Sequence, residues 1–106
     1  MRGIDLNGRT ALVTGAGTGI GRGVARKLAA CGAEVAVHYN SSAAGAQETV
    51  RMIEAAGGRA VALQADLHHV SDAQGLVQQA INAFGRLDIL VNNAALSTEK
   101  PFLEMT

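Results

Sequence analysis

A glycine-rich segment near the start of the chain has the composition and spacing of a phosphate-binding loop. It lies between a short apolar run, residues 10–13, and a helix-like segment, residues 21–31, and its glycines stand at positions 15, 17, 19 and 21. Glycine lets the backbone turn tightly and approach a ligand where a Cβ atom would block it. A helix that starts here directs its free N–H groups and its positive dipole end to the same place. A nucleotide is therefore the first ligand that this segment predicts.

The spacing of the segment differs from the common dinucleotide fingerprint, G-x-G-x-x-G. Counted from Gly15, that fingerprint requires glycine where Ile20 stands, and counted from Gly17 it requires glycine where Arg22 stands. The pattern present, from Thr14 onward, is T-G-x-x-x-G-x-G. Because it falls between a predicted strand and a predicted helix, this pattern is more specific than a glycine run without a context.

Alternating strand-like and helix-like segments position this loop. The hydrophobic pattern predicts strands at about residues 10–14, 33–39, 59–65 and 87–91. The first helix is predicted at about 19–31, the second begins at Ser41 or Ser42, and the third has a possible capping box of Ser71 and Gln74. The predicted buried faces of the three helices are, in order, Ile20, Val24, Leu28 and Cys31; Ala46, Val50, Ile53 and Gly57; and Val77, Ala80, Ile81 and Phe84.

This order of elements predicts an α/β fold, a doubly wound parallel sheet with right-handed crossovers. The strand order is 3-2-1-4 if the first two helices cover one face and the third covers the other. Open sheets of this kind bind ligands where the strand order reverses, which here is between strands one and four. The glycine segment and residues 92–95 follow those two strands, so we expect them to meet at one crevice.

The composition argues against several classes of function. The chain has 106 residues, enough for one domain, and its formal net charge is zero, without the basic patch of a nucleic-acid-binding protein. No apolar run is long enough for a membrane span, and no signal-peptide pattern stands at the start. Cys31 is the single cysteine, so a reducing cytoplasm is expected. The three histidines lack metal-ligand spacing, and we predict no metal site.

Two further motifs follow the third and fourth predicted strands. The first is Asp66-Leu67, and the second is the run Asn-Asn-Ala-Ala at 92–95, preceded by Gly-Arg-Leu-Asp-Ile-Leu-Val at 85–91. With the glycine segment, they closely resemble the short-chain dehydrogenase/reductase family over essentially the whole chain. The resemblance implies a Rossmann-type fold and an NAD(P)-dependent oxidoreductase acting on a small carbonyl or alcohol substrate. Residues 1–106 would form a partial cofactor-binding domain, truncated after strand four, and the 3-oxoacyl-carrier-protein reductase-like branch is favoured.

The resemblance also implies roles for residues on the phosphate side of the cofactor. Gly15, Gly19 and the backbone of Ile20 would bind the pyrophosphate, and Gly21 would allow the helix to pack closely. The resemblance gives Thr14 no separate ligand role here. On the residues alone, its hydroxyl could simply tie neighbouring loops together.

On the adenosine side, the resemblance implies roles for residues after strands three and four. Asp66 and the backbone of Leu67 would recognise adenine, Asn92 would steady the central sheet, and the backbone of Ala94 would line the ribose. On the residues alone, Asp66 is equally a solvated carboxylate or a loop cap. Asn92 and its neighbour are equally turn formers, since asparagine bonds readily to its own main chain.

The end of the second predicted strand bears on the choice of cofactor. Enzymes that use NAD place a carboxylate there for the ribose 2′-hydroxyl, but this segment contains Tyr39, Asn40 and Ser41 and no acid. Hydroxyl and amide donors at a helix N-terminus suit a 2′-phosphate, so NADP is favoured over NAD. Thr18 stands where many NADP-using relatives have a basic residue. Arg22 is a candidate substitute, or an exposed helix arginine.

No catalytic residue can be named. The family's chemistry uses a tyrosine with a lysine four residues later, but Tyr39 is the single tyrosine here and Ala43 stands four residues on. The chain alone is therefore expected to be inactive, and a non-catalytic dinucleotide-binding fragment is the alternative function. A methyltransferase-type fold is disfavoured because it leaves residues 92–94 unexplained. Strand four would present an open edge, which favours self-association.

Overall fold

The computed structural model describes residues 4–93, which form a four-stranded parallel sheet covered by three helices. The order of elements is strand and helix in strict alternation, as the pattern predicts: β1 (Thr10–Val13), α1 (Gly19–Ala30), β2 (Glu34–Tyr39), α2 (Ala43–Ala55), β3 (Arg59–Gln64), α3 (Val70–Phe84) and β4 (Ile89–Val91). The strand order is β3-β2-β1-β4, which confirms the predicted order 3-2-1-4. Each predicted strand is one or two residues longer than the observed one.

Two apolar layers hold the helices on opposite faces of the sheet. On one face, Val13, Val35 and Val37 pack against Ala25 of α1 and Ile53 of α2. On the other face, Leu12 and Ala36, which alternate with these valines along the strands, pack against α3. The α3 residues of this layer are Ala73, Leu76 and Ala80. Alternate residues of a strand point to opposite faces, so a strand covered on both sides must be apolar throughout. The predicted distribution of helices over the two faces is confirmed.

The start of α3 differs from the prediction. The helix begins at Val70, so its N-cap is His69 rather than Ser71, and the residue three positions after the N-cap is Asp72 rather than Gln74. The Asp72 carboxylate accepts hydrogen bonds from the N–H groups of His68 and His69, both at 3.0 Å. These bonds hold the pKa of Asp72 below its usual value. A carboxylate is a stronger acceptor for the free N–H groups of a helix than a glutamine amide, so the register moves to the residues that Asp72 can reach.

The buried helix faces are partly those predicted. Ala46, Ile53 and Ala80 are buried, but the side chain of Ile20 is 78% exposed. Gly57 lies beyond the end of α2 and is exposed. The close packing of α1 on the sheet uses the small residues Gly21 and Ala25, as a helix that approaches a strand closely requires.

A polar cluster at the opposite end of the sheet from the strand carboxyl ends fixes β4 beside β1. The Asp88 carboxylate accepts from the Thr10 N–H at 2.9 Å, and the Asp88 N–H donates to the Thr10 carbonyl at 3.0 Å. Arg86 donates to Asp88 at 2.6 Å, and this bond, with the bond from Thr10, lowers the pKa of the carboxyl group. The cluster explains the one acid in an otherwise apolar strand segment. No helix within residues 4–93 has the length and apolar character needed to cross a lipid bilayer.

Candidate functional site

The loop that joins β1 to α1 has two glycines in the left-handed region of backbone space. Gly15 has φ of +60° and Gly19 has φ of +59°. A residue with a Cβ atom is strained there by about 1–2 kcal/mol. The loop therefore takes the tight path that its glycine spacing predicts, and α1 starts immediately after it.

Gly21 and Gly17 allow close approach of neighbouring backbone. A Cβ atom at Gly21 would collide with the carbonyl of Gly15 and lie 2.7 Å from Nδ2 of Asn93. A Cβ atom at Gly17 would lie 3.2 Å from the backbone nitrogen of Ala46 in α2. The spacing of glycines thus lets the loop lie between the ends of β4, α1 and α2.

His38, near the end of β2, anchors the first part of the loop. Its side chain is 2% exposed. The Gly15 N–H donates to His38 Nδ1 at 3.0 Å, and the Ala16 N–H donates to the His38 carbonyl at 3.0 Å. On its other side, the ring bonds through Nε2 to the carbonyl of Ala65 at 2.8 Å. Burial lowers the pKa of His38, although its bond to Ala65 and the charge of Asp66 act in the opposite direction.

Residues after β4 meet the loop, as the predicted crevice requires. The Thr14 hydroxyl donates to Oδ1 of Asn92 at 3.1 Å and accepts from the Asn93 N–H at 2.8 Å. Nδ2 of Asn93 donates to the Gly15 carbonyl at 3.2 Å. Thr14 and the two asparagines therefore join the carboxyl ends of β1 and β4. Asn92 lies beside β1, where the resemblance expects it to steady the sheet.

Arg22 does not extend freely into solvent. Its guanidinium donates to the Gly17 carbonyl at 2.7 Å, the Gly45 carbonyl at 3.1 Å and the Thr49 hydroxyl at 2.9 Å. The fork geometry of arginine suits several acceptors in one plane. The suggestion of an exposed arginine is therefore wrong in this structure, and a contact of Arg22 with a 2′-phosphate stays a prediction. It holds the glycine loop against the first turn of α2.

A cavity of about 160 Å³ opens between the loop and the end of β2. Its lining residues are Gly15, Gly17, Thr18, Tyr39, Asn40, Ser41 and Ser42. Five of the site residues predicted from sequence, Gly15, Thr18, Tyr39, Asn40 and Ser41, are thus brought together. The lining contains no carboxylate among the residues that the structure describes.

Two helix N-termini flank this cavity. The residue before α1 is Thr18 and the residue before α2 is Ser42; neither side chain caps its helix, and neither first turn contains an acid. In contrast, the first turn of α3 already holds the carboxylate of Asp72. Free N–H groups at the start of a helix attract anions. The free N–H groups at these two helix N-termini therefore favour negatively charged groups in the cavity.

Asp66, one of the two residues predicted to contact adenine, is linked to Asn40 through Gln64. Asp66 is exposed and accepts from Nε2 of Gln64 at 3.4 Å, while the same nitrogen donates to the Asn40 carbonyl at 2.9 Å. The side chain of Leu67 is buried under α3. The predicted ribose residue Ala94 lies outside the described residues.

A second, larger cavity lies away from the strand ends. It has a volume of about 350 Å³ and lies between α1 and α2, with Arg26, Lys27, Met52 and Ile53 among its lining residues. None of the site residues predicted from sequence lines it. We place the site at the smaller cavity because it lies at the carboxyl ends of the strands, where open α/β sheets bind ligands.

Sequence reasoning missed the supporting residues of the site. His38 was considered only as a metal ligand, and Asn93 only as a turn former. Gln64 was not considered. For His38 a signal was available: it is a polar residue in β2, a strand that is covered on both faces. A buried polar group needs hydrogen-bond partners, so a contact with a neighbouring segment could have been predicted. The other two contacts depend on distances between loops that the sequence does not specify.

The fold and this site define a dinucleotide-binding α/β domain of the Rossmann type. The model of the short chain dehydrogenase family matches residues 9–106, and the chain belongs to this family. Hydroxynaphthalene reductase arp2 of Aspergillus fumigatus is 50% identical over 103 residues, which are 97% of this chain and 38% of that protein. The short-chain dehydrogenase/reductase homolog YusS of Bacillus subtilis is 50% identical over 92% of this chain and 90% of its own length.

A solved structure supports the same conclusion. A short chain dehydrogenase from Burkholderia cenocepacia J2315, in complex with NADP, matches with a TM-score of 0.81 and 49% identity. The match covers 88% of this chain and 38% of the Burkholderia chain. The chain thus spans about two fifths of the Burkholderia and Aspergillus proteins, and nearly the whole of the Bacillus one.

Proposed function

We propose that this chain supplies the cofactor-binding part of an NADP-dependent oxidoreductase that acts on a small carbonyl or alcohol. The observation that carries the proposal is the cavity between two uncapped helix N-termini, which has no acid in its lining. NADP has a pyrophosphate and a separate 2′-phosphate, whereas NAD has the pyrophosphate alone. A cavity between two helix N-termini, each of which attracts an anion, therefore suits NADP better than it suits NAD. The nicotinamide of the cofactor would supply a hydride to a carbonyl or accept one from an alcohol.

Each predicted residue has a part in this proposal. The N–H group of Gly15 already donates to His38, so the pyrophosphate donors are assigned to Gly19 and Ile20 in the first turn of α1. Gly15 itself contributes the turn. Gly21 provides space for α1, and Thr18 borders the phosphates.

The remaining residues bind the adenosine half. Tyr39, Asn40 and Ser41 would surround the ribose and its 2′-phosphate, because they line the cavity beside α2. Asp66 and the Leu67 backbone would contact adenine, and Asn92 would support the loop through Thr14. The role of Ala94 stays a prediction.

The replacement Asn40→Asp tests the choice of cofactor. A carboxylate at the end of β2 accepts from a ribose 2′-hydroxyl and repels a 2′-phosphate. We expect the ratio of NADPH to NADH affinity to fall by about tenfold or more, the equivalent of roughly 1.4 kcal/mol. Fluorescence titration with both nucleotides measures this ratio.

The exposed Asn82 in α3 offers a control with the same change of charge. Asn82→Asp adds a carboxylate away from the cavity, so it should leave the ratio of affinities unchanged. If Asn40→Asp and Asn82→Asp both leave the ratio at its original value, the assignment of a 2′-phosphate to this end of the cavity is wrong.

Three other expectations stay predictions: the 3-oxoacyl-carrier-protein reductase-like branch, the reducing compartment, and self-association through β4. In the described sheet, β4 pairs with β1 on one side. Pairing of β4 with its own copy would be seen as a dimer in light scattering at high protein concentration.

A further inference from the structure

His38 is joined to both halves of the candidate site. The Gly15 N–H donates to Nδ1 at 3.0 Å on the phosphate side. On the adenine side, Nε2 bonds at 2.8 Å to the carbonyl of Ala65, the residue before Asp66. The backbone adds a third and a fourth link: the Ala16 N–H donates to the His38 carbonyl, and the Ala65 N–H donates to the carbonyl of Tyr39.

These two ring contacts determine the protonation state of His38. A backbone N–H can only donate, so Nδ1 must be the bare nitrogen that accepts from Gly15. A backbone carbonyl can only accept, so Nε2 must hold the proton that is donated to Ala65. The neutral tautomer with its proton on Nε2 is the one form that satisfies both bonds. In an imidazolium ring both nitrogens are donors, and Nδ1–H would oppose the Gly15 N–H.

Because His38 is buried, the requirement for the neutral ring cannot be relaxed by bonds to solvent. The side chain is 2% exposed, so water cannot replace the lost acceptor for the Gly15 N–H without a movement of the loop. Among the described residues, Asp66, just after β3, is the charged group that acts on the His38 ring. Its negative charge raises the pKa of His38 and so favours the protonated ring. The loop side, Thr14 to Gly17, contains no titratable side chain. Acidification would therefore break the bond to Gly15 first.

We propose that His38 is a positioning residue that links the phosphate and adenine sides of the cofactor site, and that protonation of its ring weakens cofactor binding. This inference rests on the proposed function. Gly15 begins the turn that places Gly19 and Ile20, so loss of its anchor displaces the N–H groups assigned to the pyrophosphate. On the adenine side, the bond from Nε2 to the Ala65 carbonyl holds the segment that contains Asp66 and Leu67, and this bond is kept in the protonated ring.

The direction of the pH effect follows from the lowered pKa of His38. The unfolded chain takes up this proton around the ordinary value, 6.5, but the native ring resists it. As the pH falls below 6.5, the unfolded state binds more protons than the native state, so both the native fold and the ordered loop lose stability. Well above pH 6.5 the ring is uncharged in both states and this effect is absent.

The first measurement is ¹⁵N NMR of the histidine rings in the complete polypeptide. At neutral pH we expect His38 Nδ1 to show the chemical shift of a bare, hydrogen-bonded nitrogen and Nε2 that of a protonated one. A proton on Nδ1 at neutral pH would overturn the inference. This readout needs no cofactor, so it reports on His38 even if the proposed function fails.

The second measurement is cofactor affinity against pH for the original protein and His38→Asn. Between about pH 7.5 and about pH 5, we expect the Kd for NADPH to rise about three- to tenfold more in the original protein than in the variant. The amide of asparagine does not titrate in this range. The 2′-phosphate of NADPH titrates equally in both experiments, so the difference between the two slopes isolates His38.

The variant His69→Asn is the matched control, because it removes an exposed histidine at the start of α3. It should keep the pH dependence of the original protein. Equal slopes for the original protein and His38→Asn would contradict the inference, while absence of NADPH binding at neutral pH would contradict the proposed function instead. If His38→Asn does not fold, an NMR titration of the His38 ring against pH, with and without NADPH, decides the question: a ring pKa that NADPH leaves unchanged would contradict the inference.

Discussion

At the scale of single residues, the glycines of the loop have different physical roles. Gly15 and Gly19 are needed for their positive φ angles, whereas Gly21 is needed because of the Gly15 carbonyl beside it. Gly23, two residues after Gly21 in α1, is exposed and has open space where a Cβ would lie. The same substitution should therefore have opposite effects at two positions of one helix.

We expect Gly21→Ala to lower the free energy of unfolding by about 1–3 kcal/mol, since the added methyl group forces the loop away from α1. Gly23→Ala should raise it by about 0.5–1 kcal/mol, because alanine favours the helix. Urea denaturation of both variants measures the difference. Similar effects of the two substitutions would show that α1 does not approach Gly15 closely in solution.

At the scale of secondary structure elements, Arg22 joins three parts of the site. One guanidinium bonds to Gly17 in the loop and to Gly45 and Thr49 in α2. The two glycines face each other so closely that a Cβ at Gly45 would lie 2.8 Å from the Gly17 carbonyl. Arg22 thus sets the distance between the helix N-termini that flank the cavity.

We expect Arg22→Met to lower the free energy of unfolding by about 1.5–3 kcal/mol, the typical worth of a hydrogen bond from a charged donor. Methionine keeps the apolar stem but cannot donate to the Gly17 carbonyl, the Gly45 carbonyl or the Thr49 hydroxyl. The midpoint of urea denaturation reports this loss if the slope is unchanged. Arg26→Met, on the exposed side of α1, is the control and should alter the midpoint little. Equal shifts for both variants would contradict the role of Arg22.

At the scale of the whole molecule, the crevice at the reversal of strand order brings together residues far apart in sequence. Thr14 bonds to Asn92 and Asn93 across β1 and β4, while Tyr39 lies on the β2 side of the loop. Hydride transfer to a carbonyl also requires a general acid near the reacting oxygen. Tyr39 is the single tyrosine of the chain and borders the cavity assigned to the adenosine half.

We therefore expect the 106-residue chain to show no NADPH-dependent carbonyl reduction, as followed by NADPH absorbance with a set of ketones. Turnover that is lost in Gly19→Val but kept in Gly75→Val would contradict this expectation and assign catalysis to the chain itself. Gly75 is a suitable control because a Cβ there meets open space in α3.

The sequence by itself determined the class of fold and the strand order, and it predicted the location of the site. These properties follow from local signals: apolar strands, amphipathic helices, and glycines at positions that turn or pack closely. The order β3-β2-β1-β4 was predictable because right-handed crossovers leave few topologies for this alternation of elements. The motif spacing also indicated the family to which the chain belongs.

Only the tertiary structure decided how the polar side chains pair. The partners of His38 lie 23 and 27 residues away, and those of Arg22 include Thr49 in another helix. Such bonds depend on distances of a few tenths of an ångström between packed loops, which no periodicity in the sequence specifies. For the same reason the bonds of Arg22 to the loop and to α2 were not predicted, and His38 was missed as the anchor of the loop.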